Sequence, residues 1–94
     1  MSKLNKVILT GRLKRDPEVR YTTEEKPVAF FELLVDKGKG KEAVRCIAMG
    51  GLAKIIVECL CKKMLVAVEG KLRIDEDSKT EVEVESIQML DFKK

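Results

Sequence analysis

The chain contains no histidine and no tryptophan, and its aromatic residues are only Tyr21, Phe30, Phe31 and Phe92. Without imidazole it lacks the side chain that most often acts as acid, base or metal ligand near neutral pH. It has no phosphate-binding loop of the GxxxxGK type and no nucleophile with a base beside it. Enzyme chemistry is therefore not expected, nor is a cofactor or a small-molecule substrate. No run is long and apolar enough to span a bilayer, and "MSKLNKV" lacks the apolar stretch of a signal peptide. A cytoplasmic protein without membrane contact is expected. Cys46, Cys59 and Cys61 make an odd number without a secretion signal, which argues against a disulfide framework. The C-x-C spacing matches no usual zinc finger. The thiols are expected to be reduced and structural, following the burial habit of cysteine.

What is present fits one domain, residues 1–94, with 19 basic and 16 acidic side chains and a net charge of +3. That balance permits nucleic-acid binding without demanding it. Val7, Leu9, Gly11 and Leu13 fall on one face of a first strand, and Lys6, Ile8, Thr10 and Arg12 on the other. Asp16-Pro17 breaks that strand and "EVRYT" resumes it. In the second strand, Val28 to Asp36, Ala29, Phe31, Leu33 and Val35 oppose Phe30, Glu32 and Leu34. After the glycine-rich loop "KGKGK", the third strand, Glu42 to Met49, sets Val44, Cys46 and Ala48 against Arg45, Ile47 and Met49. Beyond Gly50-Gly51, residues Leu52, Ile55, Ile56, Cys59 and Leu60 recur at helical spacing, with Lys62 and Lys63 at the end, where cations suit the dipole. Met64 to Ile74 makes a fourth strand with a bulge at Gly70. "DEDSK" turns the chain into a fifth, Thr80 to Leu90, where Val82 and Val84 oppose Glu81, Glu83 and Glu85.

The order β-β-β-α-β-β is that of the OB-fold: an all-β, five-stranded, partly open barrel with one helix between strands three and four. Gly11 permits the sharp bend that the first strand needs in so small a barrel.

These stretches carry a resemblance. "NKVILTGRLKRDPEVRYT" resembles the opening of the bacterial single-stranded DNA-binding protein family, and "PVAFFELLVD" its second strand. "RCIAMGGLAKIIVECL" is similar to the family's third strand and helix, "LVAVEGKLR" to its fourth strand and "TEVEVESIQML" to its fifth. The resemblance runs over residues 5–90. It implies an OB-fold that binds single-stranded DNA, associates through its sheets, and serves replication, recombination and repair. Three features depart from the pattern. The chain stops at "LDFKK", without the acidic, apolar tip by which such proteins recruit partners. Met49 stands where the family displays an aromatic, and the loops "DKGKGKEA" and "DEDSK" have none. Each stacked base is worth about 1–3 kcal/mol, so binding should lean on charge instead. Lys63 or its neighbour stands where the family often has glycine, so a left-handed residue there would be strained. The short, tailless form also resembles the primosomal replication protein B branch, which implies a homodimer that binds DNA and a replication-restart helicase. A tailless strand-protecting member, an OB-fold protein-interaction module with weak DNA binding, and an RNA binder stay open.

Phosphate contact by lysine and arginine releases counterions and drives binding without regard to sequence. The candidates are Lys37, Lys39 and Lys41 in the glycine-rich loop, Arg12 and Lys14 (with Arg15) on the first strand, and Arg45, Lys71 and Arg73 on the third and fourth. Met49, flanked by Ile47, could offer a base a soft surface. Lysines alternating with glycine also read as a solvated loop. Glu81, Glu83 and Glu85 read as solvated surface that repels phosphate, unless they pair with Lys71 or Arg73 across strands. Phe30 fits a stacked base or a dimer contact equally, while Tyr21 and Phe31 read as core or interface. Val7, Ile8 and Leu9 on an edge strand favour a homodimer.

Overall fold

The alternating segments form six strands and one helix in the computed structural model, which describes residues 5–91. Phe92 lies outside the described residues. The strands are β1 (Val7–Leu13), β2 (Glu18–Tyr21), β3 (Pro27–Asp36), β4 (Lys41–Met49), β5 (Leu65–Ile74) and β6 (Thr80–Met89), with α1 (Gly51–Cys59) between β4 and β5. They are ordered β1-β5-β6-β4-β3, and β1 pairs again with β3, which closes a five-strand barrel. The short β2, the resumed "EVRYT" segment, hangs on the free side of β3. Among the described residues only β4 and β6 pair in parallel, through Cys46↔Val82 and Ile47↔Glu83. This is the OB-fold. No helix among the described residues is long and apolar enough to cross a membrane.

Closure depends on β1 changing partners along its length. Val7 to Arg12 face β5, whereas Arg12 and Leu13 face Leu34 and Leu33 of β3. A Cβ on Gly11 would fall inside contact distance of the Leu34 carbonyl oxygen. Glycine is therefore required by the close crossing of two backbones. Gly70 does the same at the expected bulge. The β5–β6 register shifts between Glu69 and Gly70, and a Cβ on Gly70 would meet the Glu83 carbonyl.

The inward positions expected from strand parity fill the barrel: Leu13, Ala29, Phe31, Leu33, Cys46, Ala48, Val66, Val68, Val82 and Val84 are buried. The helix adds Ala53 and Ile56, and the segment after it adds Leu60 and Met64. The helical stripe differs from expectation at two positions, because Ile55 and Cys59 face solvent. The helix ends at Cys59, and Leu60 is already extended at φ −102°, ψ 149°. Lys62 and Lys63 consequently lie in the following loop and not in the last helical turn. Lys63 takes the left-handed conformation at φ 76°. It is held there by its N–H donating to the Leu13 carbonyl at 2.9 Å. A left-handed non-glycine residue costs roughly 1–2 kcal/mol, part of which glycine returns as unfolded-chain entropy. Lys63→Gly is expected to stabilise the fold by about 0.5–1 kcal/mol, read as a thermal midpoint raised by a few degrees. A lower midpoint would contradict this.

The cysteines divide. Burial, with the Glu81 charge nearby, pushes the Cys46 thiol up to about 12. Its Sγ reaches the Val44 carbonyl at 3.7 Å. Cys59 is exposed and Cys61 half-buried, so the expectation of burial holds for Cys46 and fails for Cys59. Iodoacetamide on the folded protein should label Cys59 first and spare Cys46 until unfolding. Peptide mass spectrometry showing equal labelling of both would contradict the packing of β4.

Candidate nucleic-acid interface

The β3–β4 hairpin is built around its two glycines. Gly38 and Gly40 have φ 83° and 101°, and Lys37 N–H donates to the Gly40 carbonyl at 3.0 Å. Lys41 opens β4 and donates to Asp36 at 2.7 Å, which holds the Asp36 carboxyl below its ordinary range. Lys37 pairs with Glu42 at 3.0 Å. Among the described residues, Lys39 has no carboxylate within ion-pair distance. Pairs this exposed are worth little, so a phosphate could replace either carboxylate.

The outward face of β4, β5 and β6 is arranged differently. Glu81 is only 4 % exposed, although strand parity puts it outward. Arg45 of β4 approaches it at 3.6 Å and Arg73 of β5 at 3.3 Å. Arg73 also reaches Glu83 at 3.8 Å, and Arg45 reaches Asp75 at 3.8 Å. Asp75 in turn folds the β5–β6 turn, accepting the Lys79 and Asp77 N–H groups at 2.9 Å. Those two bonds, led by Lys79, hold its carboxyl low, with Arg45 adding to the effect. Glu81 and Glu83 are thus not solvated surface, whereas Glu85 is exposed as expected. Glu81 and Glu83 hold Arg73 in the cross-strand pairing considered above, and Glu81 also takes Arg45. Lys71 faces Glu83 in register but makes no ion pair among the described residues.

Toward the other end of β3 and β4 the surface is apolar. Phe30 opposes Ile47, and Val28 opposes Met49. Met49 is 46 % exposed, as its parity implied, whereas Ile47 is 7 % exposed and offers a ligand almost nothing. The Arg20 guanidinium lies over the Phe30 ring at 5.1 Å from its centroid. An open groove of about 220 Å³ runs beside this ring, lined in part by Arg15, Glu32 and Arg45. Tyr21 is 66 % exposed and is not a core residue, while Phe31 is buried.

A second open cleft, about 320 Å³, lies at the seam where β1 crosses to β3. Arg12, Lys14 and Lys41 line it, together with Lys62 and Lys63. Arg12 ties the seam together, donating to the Lys63 carbonyl at 2.9 Å and to Asp91 at 3.0 Å. Asp91 accepts the Leu65 N–H at 3.0 Å, and that bond, with Arg12, holds its carboxyl low. Of the ten residues singled out in the sequence, Arg12, Lys14 and Lys41 meet here, next to the loop of Lys37 and Lys39, while Arg15 pairs with Glu32 at 3.3 Å. Arg45 and Arg73 meet around Glu81, while Lys71 and Met49 stand apart. Lys62 and Lys63 line the cleft too but were not candidates from the sequence, because their position reads as a helix end. The signal was the departure from glycine at Lys63. Among the described residues, no group of three or more His, Cys, Asp or Glu is placed to hold a metal.

Residues 4–90 match the single-strand binding protein family. The single-stranded DNA-binding protein of Thermotoga maritima is 42 % identical over 83 residues, covering 79 % of this chain and 59 % of that protein. Single-stranded DNA-binding protein A of Bacillus subtilis is 34 % identical, over 96 % of this chain and 61 % of that protein. The crystal structure of the wild-type single-stranded DNA binding protein from Thermus aquaticus is similar with a TM-score of 0.85 at 32 % identity. The likeness covers 97 % of this chain and 42 % of that one. The chain spans about three fifths of the length of the two curated relatives.

Proposed function

We propose, because the chain belongs to the single-strand binding protein family, that it binds single-stranded DNA without sequence preference, as one domain over residues 1–94. The observation that carries this reading is the family match, which takes in every barrel strand. Arg20 already lies over one face of Phe30, and Met49 is a methionine without a flat ring, so phosphate contacts are expected to supply most of the affinity. Lys14, Lys37, Lys39, Lys41 and Lys71 are free or exchangeable for that purpose, and Arg12 contributes only by leaving Asp91. Arg45 and Arg73 contribute only by leaving Glu81.

The narrower reading is a cytoplasmic, non-catalytic accessory of replication restart, akin to primosomal replication protein B, that works as a homodimer with a helicase. Its support is the brevity of both loops, residues 37–40 and 75–79, which leaves no long arms to wrap a strand. The homodimer is supported by the edge of Val7 to Gly11, which among the described residues pairs only with β5, and by Ile8, 69 % exposed beside it. General strand protection is the alternative role.

Titration of labelled oligo(dT) across a series of salt concentrations tests the binding. Log affinity should fall against log salt with a slope of about −0.7 per phosphate neutralised. Replacing Lys37, Lys39 and Lys41 together with alanine should flatten that slope by roughly 2 if all three touch phosphate. An unchanged slope would make the loop a solvated turn. Light scattering showing a monomer at micromolar concentration would remove the homodimer.

A further inference from the structure

The fold sorts the cations of the outer surface unequally. On the face of β4, β5 and β6, Arg45 and Arg73 already meet Glu81, Glu83 and Asp75. A phosphate arriving there must displace a carboxylate that is itself buried. At the seam of β1 and β3 the balance is reversed. Five cations surround a cleft whose lining holds one carboxylate, Asp36, which pairs with Lys41. Asp91, outside the lining, pairs with Arg12. Among the described residues, Lys14, Lys62 and Lys63 have no carboxylate within ion-pair distance.

The two lysines beyond the helix are not on a wandering loop. Lys62 N–H donates to Asp16 at 2.8 Å and Lys63 N–H to the Leu13 carbonyl at 2.9 Å, while the Lys63 carbonyl accepts from Arg12 at 2.9 Å. Three hydrogen bonds therefore fix this segment against β1 and the turn that follows it. Between the cations lie Leu34 and Leu65, with Gly11 leaving the space open. Cations around an apolar floor suit an alternation of charged phosphate and apolar sugar face. The cleft is open, and Lys41 on its lining begins β4 directly after the loop of Lys37 and Lys39.

We propose, on the reading that this chain binds single-stranded DNA, that the cleft is a phosphate-binding track. One stretch of DNA backbone crosses the β1–β3 seam here, with its phosphates on Lys14, Lys62 and Lys63 and its sugars over Leu34 and Leu65. The track carries the backbone past the Arg45–Arg73 face instead of across it.

The test is a double variant, Lys62→Gln with Lys63→Gly, compared with the parent and with Lys54→Gln/Lys79→Gln. The control removes equal charge from exposed lysines elsewhere. Lys63→Gly also relieves the left-handed residue, and a thermal melt confirms that the variant folds. All three proteins are titrated with labelled oligo(dT) over a salt series. The cleft variant should bind about tenfold more weakly at low salt, with its slope flattened by about 1.4, while the control moves far less. If the parent binds and the cleft variant keeps its affinity and slope, the track is overturned. It is equally overturned if the control changes as much, since net charge alone would then explain the loss. A parent that fails to bind oligo(dT) at any salt overturns the functional reading, and the track with it.

Discussion

Gly11→Ala is expected to destabilise the protein by about 3 kcal/mol or more, at the upper end of overpacking costs. The methyl group would press on the Leu34 carbonyl oxygen. That oxygen belongs to backbone held in the β1–β3 ladder, so it cannot rotate aside as a side chain would. Relief requires moving β1 away from β3, which breaks the Arg12↔Leu34 and Leu13↔Leu33 pairing that closes the barrel. A loss of that size is a large share of the roughly 5–15 kcal/mol that holds a small domain together. It should lower the thermal midpoint by on the order of 15 °C. Gly51→Ala is the control, since nothing lies within 4 Å of a Cβ there. It should stay within about 0.5 kcal/mol of the parent. Circular dichroism melts check both. A Gly11→Ala protein as stable as the control would mean that the strands do not cross so closely.

Glu81→Gln should cost about 2 kcal/mol and, at the same time, strengthen DNA binding. The substitution keeps the shape but removes the charge that Arg45 and Arg73 both face. Losing two charge-assisted contacts sets the scale, at about 1.5–3 kcal/mol. Both arginines are partly exposed and can rehydrate, so the penalty stays below the roughly 3–5 kcal/mol of a fully buried broken pair. Released guanidinium groups become available to phosphate, and the salt slope should steepen by up to about 1.4. Urea unfolding and oligo(dT) titration read the two effects separately. Unchanged stability would make the arrangement incidental. Weaker DNA binding in a folded variant would mean that Glu81 orients the arginines for DNA instead of withholding them.

The barrel was legible because its interior follows period two. Ala29, Phe31 and Leu33, or Val82 and Val84, need no knowledge of their partners to be placed inward. What depends on contacts between distant segments was not legible. Gly11 showed a bend, but the nearness of Leu34 appears only once β1 and β3 are paired. Leu60 continued the helical spacing of Ile56, yet the backbone had already become extended, so the lysines after it changed from a helix end to the rim of a cleft. Glu81 has the parity of a solvated residue. It is buried because the parallel β4–β6 pairing brings Arg45 over it while β5 delivers Arg73 from the other side. Met49 was placed correctly as exposed, whereas Ile47, on the same face, is covered. The difference lies in the position along β4 and not in the alternation.

The most direct measurement is an equilibrium titration of a labelled single-stranded oligonucleotide, competed with unlabelled duplex of the same length, at low and at physiological salt. Saturable binding to the single strand is predicted, with little competition from duplex and an affinity that drops steeply as salt rises. No binding at low salt, or duplex competing as well as single strand, would contradict it.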